Sequence, residues 1–162
     1  MHKSLRWTVV EDDFILAIQT KVQKVRYEGN ASKIVCADST HNTTQYGFKL
    51  TNVIVPDEFH KGYPVAHLIS NKENTETLTL FFDAMKNKCN PDISITALMT
   101  DDDSAAWNAF SNAFGTDIQH FLCQWHYLRA WRTKLRELLP QNSDLRSEIY
   151  HDFLMTISPV YF

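Results

Sequence analysis

The order of apolar periodicities along the chain restricts the folds that it can adopt. Three strand-length segments come first, and helix-type and strand-type patterns then alternate. Short turns make the first three strands antiparallel, whereas a helix between two strands acts as a crossover and allows parallel pairing. The predicted strands are residues 33–38, 46–55, 64–70, 93–99 and 118–123. The sequence therefore predicts an α/β fold with a mixed five-stranded sheet flanked by helices.

The first strong helix signal follows the third strand. Apolar residues recur there at i, i+3, i+4 and i+7, at Leu78, Phe81, Phe82 and Met85. Thr75 is the predicted N-cap of this helix. Near the start of the chain, residues 14–18 are uniformly apolar, which predicts a buried strand or a short helix, and a polar stretch follows through residue 30.

Two further helices have recognisable ends. Asp102 or Asp103 is predicted to cap the helix after the fourth strand, and Gly115 is predicted to close it. Pro140 is predicted to end the helix after the fifth strand, and Ser143 to cap a last helix.

Composition agrees with one compact intracellular domain. The 162 residues are 44% hydrophobic with only four Gly and five Pro, which is enough apolar content to bury a core. Three cysteines at unpaired spacings argue against a secreted disulfide framework. A net charge of −3 argues against binding to nucleic acid by bulk charge alone. The longest apolar stretches fall well short of a membrane span, so we expect a soluble protein without a membrane partner.

Two predicted strands run into an acidic residue at their carboxyl ends. Asp38 closes the first of the five strands, and Asp101 follows the fourth. If the sheet places these strands side by side, the two carboxylates meet, and hard oxygen ligands of this kind suit Mg²⁺ or Mn²⁺. The alternative is that Asp38 is a turn residue and that the acids at 101–103 cap a helix.

Four sequence strings, taken together, resemble a known family. In chain order they are ADSTHNTTQYGFKL, YPVAHLISNKEN, ALMTDDDSAAWNAFSNAFG and FLCQWHYLRAWRTKL. In this order and spacing they are similar to the transposase domain of Mutator-like elements. The resemblance covers residues 12–137, about three quarters of the chain.

The resemblance implies a retroviral-integrase-like, RNase H-like core. Such cores carry a DDE triad of acids that binds two Mg²⁺ or Mn²⁺ ions and catalyses cleavage and transfer of DNA strands. By motif, Asp38 is implied to be the first catalytic and metal-binding acid, bridging both ions. Asp101 is implied to be the second, and Asp102 is the substitute candidate for it.

The third acid of the triad has no assigned counterpart. The family places it on a helix after an inserted helical region, and the only glutamates after Asp101 are Glu137 and Glu148. Both have the helical spacing to basic residues that is typical of surface ion pairs, so we assign neither to the triad. The sequence thus predicts a C-terminally truncated core.

Two histidines and one cysteine are further candidates for the active-site surroundings. Cys123 and His126 match the CxxH element of the family, and they could shape the site or bind zinc. One such pair supplies only two of the four ligands of a structural zinc site, which argues against zinc. His41 could contact phosphate or water near the metal ions, or it could be a plain turn residue.

The helix after the CxxH element is basic. Arg129, Arg132, Lys134 and Arg136 could contact the DNA backbone, where cationic side chains position a duplex without reading its sequence. Alternatively, they form a solvated helix face.

These observations lead to two functional hypotheses. The first is a fragment of a DDE transposase catalytic domain that cuts and joins transposon-end DNA in the nucleus, as a homo-oligomer in a synaptic complex. The second is a domesticated or decayed remnant that binds DNA or protein without catalysis. The predicted organisation is a lead-in at 1–30, the partial core at 31–140, and the start of a helical insertion or tail at 141–162.

Overall fold

The computed structural model describes residues 13–40 and 45–157. Within these ranges the strands are β1 (Ile15–Ile18), β2 (Val35–Thr40), β3 (Lys49–Pro56), β4 (Gly62–Ser70), β5 (Ala97–Thr100) and β6 (Gln119–Leu122). The helices are α1 (Lys21–Asn30), α2 (Thr75–Lys88), α3 (Ser104–Phe114), α4 (Gln124–Leu138) and α5 (Ser143–Ile157).

The strands form one mixed sheet in the order β1-β4-β3-β2-β5-β6. Strands β2, β3 and β4 form the predicted antiparallel meander. Strands β5 and β6 continue the sheet from β2 in parallel, each after a crossover helix. The predicted α/β mixed sheet is confirmed.

The sheet has six described strands rather than the predicted five. The additional strand is β1, which pairs antiparallel with β4 at the sheet edge. The prediction that residues 14–18 are buried is wrong, because the side chains of Leu16 and Ile18 are 44% and 39% exposed. An edge strand has a neighbour on one side only, so its apolar residues are covered less completely.

The polar stretch before residue 30 forms helix α1, which the apolar pattern did not reveal. Tyr27 is its one buried residue, so the helix shows no apolar stripe. Instead, α1 begins with a capping box in which Thr20 accepts from the backbone N–H of Gln23 and the Gln23 side chain accepts from that of Thr20. This reciprocal pair satisfies two amides that the first helical turn leaves without partners.

Burial alternates along β2 and divides the sheet into two faces. Val35 and Ala37 are buried, whereas Cys36 and Asp38 are half-buried. Because successive side chains of a strand point to opposite faces, Asp38 lies on the face opposite to the one that Val35 and Ala37 occupy.

The core is filled by aromatic side chains of α2 and α3 together with the apolar residues of the sheet. The ring of Phe82 lies 5.4 Å from that of Phe81 and 5.0 Å from that of Phe110, edge to face with the latter. Edge-to-face pairs of this kind add stabilisation beyond the burial of their area.

Several element ends differ from the predicted ones. Asn74, not Thr75, is the N-cap of α2, because the Asn74 side chain accepts from the N–H of Thr77 at 2.9 Å. At α5 the Asn142 side chain accepts from the N–H of Leu145 at 3.0 Å, one residue before the predicted cap at Ser143. In both cases an asparagine directly precedes a hydroxyl residue and takes the capping position.

The ends of α3 agree with the sequence. Asp103 caps this helix by accepting from the N–H of Ala105, and Gly115 follows its last residue with a φ of 102°. A positive φ of this kind strains any residue that carries a Cβ atom. Strand β5 is shorter than the predicted 93–99, since only residues 97–100 pair with neighbouring strands.

Two compact units divide the chain, Met1–Leu122 and Cys123–Phe162. The first contains the sheet, and the second contains α4 and α5. Within the second unit, the rings of Trp131 and Phe153 stack at 4.6 Å. Among the described residues, no helix is both long and apolar enough to cross a membrane.

Candidate functional site

The carboxyl ends of β2 and β5 lie next to each other and carry the two predicted acids. The parallel register pairs Val35 with Leu98 and Cys36 with Met99. Continued at the same offset, this register places Asp38 level with Asp101, which directly follows β5. Paired strands lie about 4.8 Å apart, so the parts of β2 and β5 that lead to the two acids run side by side.

A polar row continues from Asp38 across the meander. Asp38 pairs with Asn52 on β3, and Asn52 pairs with His67 on β4. Because paired residues share a face of the sheet, all three side chains lie on the face opposite Val35 and Ala37.

Hydrogen bonds fix this row from the side of α1. His67 Nδ1 lies 2.8 Å from Asn52 Oδ1, and His67 Nε2 lies 3.1 Å from Gln23 Nε2. Gln23 has donors on Nε2 and Asn52 has an acceptor on Oδ1, so the imidazole donates from Nδ1 and accepts at Nε2. Gln23 also donates to the carbonyl of Pro64 at 3.2 Å. The Asn52 amide beside Asp38 is therefore held in one orientation.

The sequence patterns did not single out Asn52, His67 or Gln23. Asn52 and His67 are 15 positions apart, and only the strand register brings them together. The T-x-x-Q spacing of Thr20 and Gln23 is a helix-start signature that could have located Gln23 at the beginning of α1.

Asp101 takes part in the turn that leads into α3. Its carboxylate accepts from the backbone N–H of Asp103 at 3.2 Å, while Asp103 caps the helix. Asp101 is half-buried, whereas Asp102 is exposed. The capping role predicted for the acids at 101–103 is thus present, and it holds the Asp101 side chain in place at the end of β5.

His120 is linked to Asp101 through the hydroxyl of Thr100. His120 Nε2 is 2.8 Å from the hydroxyl of Thr100, and that hydroxyl donates to the carbonyl of Asp101 at 2.8 Å. The imidazole stacks on the indole of Trp107 with ring centres 4.5 Å apart. Partial burial lowers the pKa of His120 below its usual value of 6.5, which favours the neutral ring.

The donor chemistry of this edge suits a hard divalent cation. The two carboxylates offer oxygen ligands, which Mg²⁺ and Mn²⁺ prefer. Within the ranges that the structure describes, no group of three His, Cys, Asp or Glu side chains could hold a metal ion. His41 lies outside the described residues. Asp38 and Asp101 offer the carboxylate chemistry that such a cation prefers, and a third ligand of this kind is absent from the described residues around them.

The CxxH pair lies at the start of α4. Cys123 occupies the N-cap position without a side-chain capping bond. His126 is half-buried, and its ring meets that of Trp125 edge to face at 4.7 Å. The described part of the chain adds no further ligands that would complete a zinc site with these two residues.

The four basic residues of α4 have different surroundings. The guanidinium of Arg129 lies over the Trp125 ring at 5.3 Å, and Lys134 pairs with Glu137 at 3.0 Å. Arg132 lies over the ring of Tyr150 on α5 at 4.3 Å. The basic residues that the sequence grouped by charge therefore differ in their contacts along the helix.

Comparison with known proteins assigns the chain to a family. Residues 11–119, about two thirds of the chain, match the family described as zinc finger SWIM domain-containing protein 1/3, RNaseH-like domain. The chain belongs to this family. Membership confirms the RNase H-like fold predicted from the sequence. No curated protein matches the chain.

Solved structures of retroviral integrases are among the similar ones. A chain of the simian T-cell lymphotropic virus intasome, in complex with PP2A regulatory subunit B56 gamma, is 15% identical with a TM-score of 0.40. The match covers 75% of this chain but only 47% of that one, so the present chain spans less than half of its length.

The HTLV-2 integrase catalytic core domain in complex with magnesium is 17% identical, with a TM-score of 0.36 in both its trimeric and its dimeric forms. The trimeric match covers 79% of this chain and 86% of that one, and the dimeric match 75% and 83%.

Proposed function

We propose that the chain is a catalytic-core fragment of a DDE-type transposase of the Mutator-like kind, which cuts and joins transposon-end DNA. The observation that carries the proposal is the parallel pairing of β2 with β5 at Val35–Leu98 and Cys36–Met99, because these are the two strands that lead to Asp38 and Asp101. Family membership supports the RNase H-like framework in which such a pair would act.

The side chains at this edge would bind and position the reacting groups. Asp38 and Asp101 would share a divalent cation, since two adjacent carboxylates repel each other without one. When bound, Mg²⁺ or Mn²⁺ would activate water or a 3′-hydroxyl for in-line attack on phosphorus and stabilise the leaving oxygen. The Asp103 N–H donates to the Asp101 carboxylate and holds it in place. The side-chain amide of Asn52 lies on the strand next to Asp38.

The third acid remains outside this assignment. Glu137 pairs with Lys134 on an exposed face of α4, which agrees with the surface role predicted for it. A complete DDE triad would require a carboxylate from a further helix. We therefore propose that the present chain binds the cation and DNA, and that strand cleavage at full rate needs that additional segment.

A protein that acts on transposon-end DNA would work in the nucleus and would bring two DNA ends together. We propose a nuclear location, and homo-oligomers when two element ends are brought together. We also keep the proposed organisation of lead-in (1–30), partial core (31–140) and helical insertion or tail (141–162).

A second candidate function is a remnant that binds DNA or protein without catalysis. One observation favours it: the Asp101 carboxylate already accepts a hydrogen bond that stabilises the turn into α3. A residue with a structural role of this kind would persist in a chain that no longer cuts DNA.

Calorimetric titration with Mn²⁺ tests the metal site. We expect the wild type to bind Mn²⁺, and Asp38→Asn and Asp101→Asn to lose that binding. Asp102→Asn is the matched control, because it removes an exposed carboxylate one position away and should leave binding unchanged. Equal binding by the wild type and both site variants would refute the assignment.

Nicking of supercoiled plasmid in Mn²⁺ separates the two functions. Cleavage by the chain, or by a longer polypeptide that continues its reading frame, should disappear in Asp38→Asn if the transposase proposal holds. Binding of Mn²⁺ and DNA with no cleavage by either polypeptide would instead support the remnant.

A further inference from the structure

A small cavity in the second unit lies between α4 and α5. It has a volume of about 250 Å³ and is lined by Arg132, Arg136, Arg146, Ser143, Ser147 and Tyr150, among others. Arg132 and Arg136 come from the last two turns of α4, while the other four belong to the first two turns of α5.

The lining is cationic. Three guanidinium groups face this volume, and none of the described residues that line it is acidic. Two acids nearby in the sequence have other partners: Glu137 pairs with Lys134, and Asp144 accepts from the Ser143 hydroxyl at 3.2 Å. Three like charges around a small volume repel one another, so a bound anion would reduce this repulsion.

Two of the guanidinium groups are held before any ligand arrives. Arg132 lies over the ring of Tyr150 at 4.3 Å. Arg146 donates from Nη1 to the carbonyls of Leu139 and Pro140, just beyond the end of α4. Because these contacts restrict the side chains in advance, less conformational entropy is lost on binding.

The arginines, not the hydroxyls, supply the donors for an anion. Ser147 donates to the carbonyl of Ser143 at 3.0 Å, and the Ser143 hydroxyl donates to Asp144, so both protons are used within α5. Guanidinium forks match the oxygen geometry of phosphate and can bind it through two parallel hydrogen bonds.

We propose that this cavity binds a backbone phosphate of DNA. Its volume is below the range of about 300–1,000 Å³ that is typical of sites for whole small molecules, so it suits a single phosphate group. Arg132 and Arg136 are exposed, so the cavity opens to the surface and admits a phosphate within a polymer. The choice of DNA as the polymer rests on the proposed function, whereas the anion site rests on the arginines alone.

The proposal divides the basic residues of α4 into two groups. Arg132 and Arg136 bind the phosphate together with Arg146 of α5. Arg129 and Lys134 do not line the cavity, since one lies over Trp125 and the other pairs with Glu137. A general basic helix face would give all four the same importance.

Fluorescence anisotropy with a labelled 20-base-pair duplex tests this division. The measurements are made in EDTA, so that neither cleavage nor the metal site contributes. We expect Arg136→Gln to weaken binding about tenfold. The slope of log Kobs against log salt should become shallower by about 0.9, the value for one lost phosphate contact.

Arg129→Gln and Lys134→Gln are the matched controls, because each removes one positive charge from the same helix outside the cavity. Both should keep the wild-type slope. Arg146 is unsuitable for substitution, since it also holds the end of α4. Far-ultraviolet circular dichroism confirms that each variant keeps its helices, and Arg132→Gln provides a second test of the cavity.

Two results would overturn the proposal. The first is that both Arg136→Gln and Arg132→Gln keep the wild-type affinity and salt slope. If inorganic phosphate then still shifts the arginine Nε–Hε resonances, the cavity binds a free ion only, and the proposal of a DNA phosphate is wrong. The second is an equal loss in the two controls, which would indicate non-specific attraction. Because the titrations are made in EDTA, failure of the metal site leaves this test unaffected.

Discussion

A double-mutant cycle on Asp38 and Asp101 should reveal repulsion between their carboxylates in the cation-free protein. Two unit charges separated by the strand spacing of about 4.8 Å interact by about 0.9 kcal/mol in a water-like dielectric and by about 3.5 kcal/mol at an effective dielectric constant of 20. Both residues are half-buried, so we expect a coupling energy of about 1–3 kcal/mol.

The assay is urea unfolding of the wild type, Asp38→Asn, Asp101→Asn and the double variant in EDTA. Either single substitution removes the repulsion completely, so adding the other substitution brings no further gain. The free energy of unfolding of the double variant should therefore be lower than the sum of the two single effects predicts. Other losses, such as a weaker bond from the Asp103 N–H to residue 101, cancel in the cycle.

Repeating the cycle in Mg²⁺ should reverse the sign of the coupling energy. The wild type then gains stability by RT ln(1 + [Mg²⁺]/Kd), whereas either single variant loses this gain. Coupling energies within about 0.5 kcal/mol of zero in both EDTA and Mg²⁺ are typical of residues more than about 7–10 Å apart. That outcome would refute the inference that the two carboxylates meet.

Three further predictions concern stability. Phe82→Ala removes a fully buried ring and should lower the free energy of unfolding by about 3–5 kcal/mol in urea; a loss below about 1 kcal/mol would contradict the described core. Asn74→Ala should cost about 1 kcal/mol because it removes the N-cap of α2, whereas Thr75→Ala should cost only a few tenths, and the reverse order would restore Thr75 as the cap. The lowered pKa of His120 stabilises the fold above pH 6.5, and this stability is lost as the pH falls through 6.5 towards the folded-state pKa. The melting temperature of the wild type should therefore fall more between pH 7.5 and 5.5 than that of His120→Gln, and superimposable profiles would show that His120 does not contribute.

The central part of the fold could be predicted because local periodicity and chain order agree there. The stripe from Leu78 to Met85 and the three consecutive strands each have a single regular pattern, and the crossover rule then fixes the parallel additions. The same rule made Asp38 and Asp101 candidate neighbours, since Asp38 closes the predicted strand 33–38 and Asp101 follows a strand that can pair with it in parallel.

Residues 13–30 could not be predicted in this way. Strand β1 is apolar but lies at an exposed edge, so its composition suggests more burial than it has. Helix α1 buries only Tyr27 along its length, and its beginning depends on the reciprocal bonds between Thr20 and Gln23. Neither element has the periodicity by which buried elements are recognised.

The sites beyond the two acids depend on tertiary geometry. Asn52 and His67 meet only through the register of β3 and β4, which the sequence does not specify residue by residue. Arg146 stands among acids in the sequence, with Asp144 and Glu148 close by, and its place beside Arg136 arises only when α5 folds back along α4. Charge patterns along one helix cannot reveal a site that two helices share.

Anomalous diffraction from crystals of the protein grown with Mn²⁺ tests the central claim most directly. The account predicts an anomalous peak at roughly 2.1 Å from carboxylate oxygens of both Asp38 and Asp101, the distance expected for a hard octahedral cation. The account would be contradicted if Asp38 and Asp101 were well ordered and no anomalous peak lay between them, at Mn²⁺ concentrations that saturate binding in solution.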